Sequence, residues 1–283
     1  MGGRQAKWWH LVFLANVARR KVCQKLGPAV SCLLRGLLNS FIGAIDMKLE
    51  MFEDADSVAR SAAVTIATEA RAAVAARGRF TLAVSGGHTP WIMLRDLAGL
   101  DVPWNSVHVF QVDERVAPAG DADRNLTHLR ESLLQRVPLT SEQVHAMPVE
   151  EEDLEQAAVQ YGEVLRRFSG SPPTLDLVHL GLGPDGHTAS LVPGDPVLKV
   201  TEADVALTGV YQGRRRMTLT YPTINRARRI LWVVTGSEKS GALRRLWQSD
   251  TSIPAGRISR DEAAVLADRA SAGELNVRNT QGG

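Results

Sequence analysis

Short apolar runs and helical stretches alternate along this chain from Met47 onward, and that alternation admits few folds. Lys48 to Phe52 reads as a strand. An Ala-rich helix follows, opening near Asp56 and Ser57, which can cap its free N–H groups, and closing at Gly78. Phe80 to Val84 reads as a buried strand, Pro90 to Leu97 as a helix with proline in its first turn, and Val107 to Val112 as a strand. A helix from about Asn125 to Arg136, a short strand near Val144 to Met147 and a solvent-facing, acid-rich helix from Glu150 to Phe168 come next. Leu175 to Leu180 is another buried strand. Val205 to Tyr211 and Met217 to Thr220 read as a hairpin or edge pair, Ile230 to Thr235 as a central strand, Ser237 to Trp247 as a helix and Ala263 to Ala267 as a last strand. Such alternation predicts an α/β fold: a single-domain three-layer sandwich with helices on both faces of a mostly parallel sheet. The domain is expected over residues 47–275, since Ser171-Pro172-Pro173 is too short a turn to divide it, with 276–283 as a flexible tail.

Charge and cysteine content narrow the class. A formal net charge of +2 on 283 residues lacks the basic face that nucleic acid requires. The charge is uneven, because Arg4, Lys7, Arg19, Arg20, Lys21, Lys25 and Arg35 all precede the first acid, Asp46. Both cysteines, Cys23 and Cys32, also lie in this leader, so the rest has no disulfide or cysteine-metal option and suits a reducing cytoplasm. Leu11 to Ala15 is too short an apolar run to span a bilayer, which takes about 20 residues. Residues 1–46 are therefore expected to be a disordered tail or a start-site extension before Met47, with organelle transit or membrane-surface contact as the other reading. The seven histidines are scattered without ligand spacing, so neither a metal nor any other cofactor is predicted.

In sheets of this kind ligands bind beyond the carboxyl ends of the strands, and four polar segments fall there. Ser85-Gly86-Gly87-His88-Thr89-Pro90 joins a strand to a helix; its glycines and the helix N-terminus suit an anion such as phosphate, or simply a tight turn. Val112 to Arg115 is either a solvated loop or a site in which Asp113 and Glu114 orient a base or a hydroxyl and Arg115 offers a fork of donors. Just downstream, Arg124-Asn125 opens a helix that Asn125 can cap. Gly181 to Ser190 presents Asp185 and His187 on a glycine-flanked turn, where a carboxylate can fix the tautomer of an imidazole. Of Arg214, Arg215 and Arg216 the last, nearest its strand, is the candidate anion contact, together with Lys239, which is placed unfavourably for a helix dipole.

Taken in order, SGGHTP, VDER with DRN and LRESLL, LGLGPDGHTASLVPG, RMTLTYPTIN, GSEK and IPAGRI resemble the 6-phosphogluconolactonase family from about Met47 to Ala270. The resemblance implies a fold similar to glucosamine-6-phosphate deaminase and ribose-5-phosphate isomerase. It implies hydrolysis of a phosphorylated sugar lactone, the small-molecule partner, by a monomer or small homo-oligomer. It further implies His187 as the base for water, Asp185 and Asp113 shaping its surroundings, and Arg115 near the carbonyl or phosphate. Ser85, Gly86, Gly87, Thr89, Arg216 and Lys239 would hold the phosphate, with Arg124 and Asn125 on the substrate-side loop. Two departures stand out: His88 replaces a small hydroxyl residue, and Val192 replaces an aromatic before Pro193. The rival readings are a deaminase or isomerase and a non-catalytic sugar-phosphate sensor. A deaminase carries a glutamate shortly after the histidine, and the stretch Thr188 to Pro193 has none.

Overall fold

The structure, a computed structural model, describes residues 47–273 and 275. The readings made for residues 1–46 and 276–283 lie outside the described residues. Sixteen named elements suffice here: strands β1 (Lys48–Phe52), β2 (Phe80–Val84), β3 (Val107–Gln111), β4 (Asp113–Arg115), β5 (Val144–His145), β6 (Leu177–Leu180), β7 (Val205–Leu207), β8 (Arg216–Leu219), β9 (Ile230–Val234) and β10 (Ala263–Asp268), and helices α1 (Ala55–Arg77), α2 (His88–Ala98), α3 (Asn125–Leu129), α4 (Leu154–Ser169), α5 (Tyr221–Asn225) and α6 (Ser240–Trp247).

Seven strands form a parallel sheet in the order β1-β10-β9-β6-β2-β3-β5, and β4, β8 and β7 form a separate antiparallel sheet. The β2 strand is buried along its whole length, as expected of a strand covered on both faces. Its alternate residues divide between two cores. Phe80, Leu82 and Val84 pack with α1 and α2 residues such as Ile66 and Leu94, whereas Ala83 joins Phe110, Trp232, Tyr161 and Leu243 on the other face. This is the three-layer arrangement expected from the alternation.

Local chemistry explains most boundaries. The α1 helix is capped by Asp54, whose side chain accepts from Ser57 N–H at 2.8 Å, two residues before the expected start, and it ends at Gly78 with φ 75°. The α2 helix begins at His88 rather than Pro90, so His88 and Thr89 belong to its first turn. Past α3 the chain widens into a π-type turn over Arg130–Leu134 instead of continuing as regular helix. The α4 helix starts at Leu154, capped by Asp153, so the acids from Glu150 precede it. The segment Val112 to Arg115 departs furthest from expectation. Asp113–Arg115 is a strand, paired with β8 so that Asp113 faces Thr218 and Arg115 faces Arg216. That pairing links distant segments and leaves no local mark in the sequence. Among the described residues no helix is long and apolar enough to cross a membrane.

Candidate active site

The central strand β6 lies between β9 and β2, so the loops leaving the carboxyl ends of these three parallel strands are neighbours. They surround a cavity of about 350 Å³ lined by residues of all three loops and by β4 and β8. Of the residues nominated from sequence, Ser85, Gly86, Gly87, Thr89, Asp113, Arg115, Asn125, His187, Arg216 and Lys239 line it. Asp185 reaches it through His187, and Arg124 does not line it.

The loop after β6 builds the part most suited to chemistry. Gly183 N–H donates to the His187 carbonyl at 2.8 Å, and Gly186 turns the chain with φ 83°, so the loop folds back on itself. Asp185 and His187 thereby meet: Asp185 Oδ1 lies 2.5 Å from His187 Nδ1 and also accepts the His187 backbone N–H at 3.1 Å. Burial opposes the charge on Asp185, yet the hydrogen bonds and proximity of His187, with the Tyr211 hydroxyl, hold its carboxyl below the usual range. With Nδ1 engaged, Nε2 of His187 is the nitrogen left for a ligand or water. Ala189, two residues on, lines the cavity with φ 52°, a left-handed conformation that costs a non-glycine residue about 1 kcal/mol.

The β4–β8 pair supplies two cations, Arg115 and Arg216. Arg115 donates to Asn125 Oδ1, while Asn125 Nδ2 donates to the Asp113 carbonyl at 2.9 Å, so one amide positions both neighbours. Ser190 Oγ donates to Asp113 Oδ2 at 2.6 Å. Arg216 is 5% exposed, and its Nε has no protein acceptor. Burial and the like charge of Arg115 lower its proton affinity, with Asp113 and Tyr211 pulling the other way.

Glu114 and Arg124 do something else. Glu114 is fully buried; its carboxylate accepts the backbone N–H groups of Arg115, Asn125 and Leu126, each at 2.8 Å. Arg124 is 2% exposed, sits with Nε 3.2 Å from Glu114 and donates to Glu150 and the Ala117 carbonyl. The pair fixes the turn into α3. Arg124 thus supports the entry to α3 without reaching the cavity.

The opposite wall is backbone and small polar groups. Gly87 precedes α2, and the first turn of that helix opens on the cavity. Ser85 Oγ donates to the His179 carbonyl at 3.1 Å, and Ser85 N–H donates to His179 Nδ1 at 3.2 Å. Thr89 and Thr235 share a hydrogen bond of 2.8 Å between β2 and β9 loops. Lys239, its Nζ 3.9 Å from Glu238, completes this side, and His88 stands exposed at its rim. Val192 is buried away from the lining. Sequence reasoning missed Tyr211, which touches Asp185 from a hairpin on the other sheet, and the buried His179 below Ser85. Neither carries a local signal.

Known proteins share this fold. The family model for glucosamine-6-phosphate isomerases/6-phosphogluconolactonase matches residues 53–267. The chain belongs to this family. Within it, the chain is 34% identical over 237 residues to a 6-phosphogluconolactonase of Nostoc sp., covering 81% of this chain and 98% of the relative. The crystal structure of 6-phosphogluconolactonase from Thermotoga maritima superposes with a TM-score of 0.71 at 27% identity, covering 78% and 99% of the two chains. A monomeric glucosamine-6-phosphate deaminase, at 18% identity, shares the fold with a TM-score of 0.70 over 80% of this chain and 99% of the other.

Proposed function

We propose that the protein hydrolyses 6-phospho-D-glucono-1,5-lactone to 6-phospho-D-gluconate, the second step of the oxidative pentose phosphate pathway, as its relatives of that name do. The observation that carries this reading is the 2.5 Å contact of Asp185 with His187 Nδ1, which leaves Nε2 as the base. Water loses a proton to Nε2 and adds to the lactone carbonyl. Arg115 and Arg216 flank the cavity, Arg115 stabilising the oxyanion and Arg216 pairing with the negative phosphate ester. As the intermediate collapses, the carbon–ring-oxygen bond breaks and the imidazolium returns its proton to the leaving oxygen. No covalent enzyme intermediate and no cofactor is needed.

Phosphate is assigned between Arg216 and the opposite wall, where Ser85 to Thr89, the start of α2 and Lys239 converge. Anchoring the phosphate there converts the attack into a positioned, effectively unimolecular event. Residues 47–275 act as the catalytic domain, as a monomer or small homo-oligomer in the cytoplasm.

The test is an assay coupled to 6-phosphogluconate formation, run beside ammonia release from glucosamine 6-phosphate. Lactone hydrolysis without ammonia release is expected. The variant His187→Ala should lose about 10²–10⁴ in kcat/KM, the usual worth of a general base, with phosphate-ligand affinity nearly intact. An unchanged rate would remove His187 from the mechanism.

A further inference from the structure

The dyad has a third member drawn from the other sheet. Tyr211 lies in the β7–β8 connection, where its N–H donates to the Arg214 carbonyl at 2.9 Å and Gln212 and Gly213 both have positive φ, 51° and 79°. A tight turn of this kind aims its flanking side chains. The turn is held from two directions: Arg214 pairs with Asp121 and Asp123 at 3.0 and 2.8 Å, and Arg216 donates to Gln212 at 3.1 Å. From this fixed tip the Tyr211 hydroxyl donates to Asp185 Oδ2 at 3.2 Å, the carboxylate oxygen that His187 does not use. Its ring meets the His187 imidazole edge to face, with centroids 5.5 Å apart at 66°. The Arg216 guanidinium lies over the same ring, 4.9 Å from its centre.

Resting on the reading of His187 as the base, we propose that Tyr211 is a positioning residue with two separable roles. Its hydroxyl locks the plane of the Asp185 carboxylate and so orients His187, and its ring seats Arg216 against the substrate anion. A carboxylate held at both oxygens cannot rotate away from the imidazole it steers. An Asp185 held only through Oδ1 could. The hydroxyl therefore belongs to the chemical step and the ring to substrate binding.

Separate substitutions divide these roles. Tyr211→Phe removes the hydroxyl and keeps the ring, so kcat should fall about three- to tenfold, the range for one hydrogen bond, with KM unchanged. Withdrawing a donor from Asp185 removes one of the hydrogen bonds that hold its carboxyl low, so the carboxyl should take up its proton at higher pH and the acid limb of the kcat/KM profile should move up with it. The other ionisable groups lining the cavity, His88 from α2, Asp113 and Arg115 from β4, Arg216 from β8 and Glu238 and Lys239 after β9, stay in place in this variant. Tyr211→Ala should add a rise in KM of about tenfold as Arg216 loses its seat. NMR titration of the Asp185 carboxyl in wild type and Tyr211→Phe gives a readout that needs no turnover, and its midpoint should move up in the variant. A wild type without lactonase activity would sink the proposed function alone, since the titration still reports on the dyad. A Tyr211→Phe enzyme with wild-type kcat and superimposable pH profile and titration would overturn the role of the hydroxyl. An unchanged KM in Tyr211→Ala would overturn that of the ring.

Discussion

The wall of the cavity that follows β6 is made of side chains tied to one another, whereas the wall that follows β2 is largely backbone with small hydroxyls. On the first wall Asp185, His187 and Tyr211 form one hydrogen-bonded chain, and Asp113, Ser190, Asn125 and Arg115 form another. On the second, the glycine turn and the first turn of α2 line the cavity, and Thr89 and Thr235 brace each other. On the proposed function the contrast follows from what each ligand group demands. A reacting carbonyl needs a base and cations at fixed places, while a phosphate accepts any convergent set of donors. Substitution on the first wall should therefore act on kcat, the Tyr211 ring that seats Arg216 excepted, and on the second on KM.

The sharpest test of the first wall is Gly183→Ala. A Cβ built there would overlap His187 Nδ1 and Cε1 and crowd Asp185 Oδ1 at 2.7 Å. The obstructed atoms are ends of side chains, so the loop can survive while the imidazole swings off its carboxylate. A kcat loss approaching that of His187→Ala, about 10²–10⁴, with near-normal KM and thermal midpoint is the expected result. Steady-state kinetics with near-wild-type kcat would mean that the Asp185 contact is dispensable.

Gly86→Ala is the substitution most able to break the contrast. Gly86 belongs to the wall proposed for phosphate, yet a Cβ on it would overlap Asn125 Oδ1, the acceptor of Arg115, and press Trp91 at 3.0 Å. If the walls are coupled through Asn125, KM should rise and kcat should fall together, each by roughly tenfold, the value of one charge-assisted hydrogen bond. A pure KM effect would show that Arg115 keeps its place without Asn125, and that the two walls are independent.

These tests also mark what the sequence could convey. The loops after β2, β6 and β9 were legible because glycines and polar residues directly follow β-rich runs, and parallel strands bring such ends together. Most strands and helices could be placed within a few residues on the same grounds. What stayed hidden depends on distant pairing. The β4 segment becomes a strand only because β8 lies beside it, and Arg124 is drawn inside only because Glu114 and Glu150 meet it there. Tyr211 reads locally as the last residue of a strand, although β7 ends at Leu207 and the turn beyond it is what aims the ring.

The smallest expected effect separates the walls by the histidines beneath them. His187 is 21% exposed at its side chain and has a carboxylate partner, whereas His179 is fully buried, with Nδ1 accepting from Ser85 and Nε2 unpartnered. Burial pushes His179 down from 6.5 to about 3. Above pH 6.5 this has no consequence, because the imidazole is neutral whether the chain is folded or unfolded. As pH falls from 6.5 toward 3, the unfolded chain takes up a proton that the folded protein refuses. Folding then loses about 1.4 kcal/mol per pH unit through this one group. His145, half-buried and lowered to about 4 by burial, then by His108 and Arg167, adds a smaller loss in the same direction. In His179→Asn an amide oxygen can still accept from Ser85 N–H, so the anchor of the phosphate loop survives without a titrating group. Urea midpoints at pH 7.5, 6 and 5 should fall less steeply in this variant than in wild type, while KM at pH 7.5 changes little. Equal slopes would place the acid sensitivity of the fold elsewhere than under the phosphate wall.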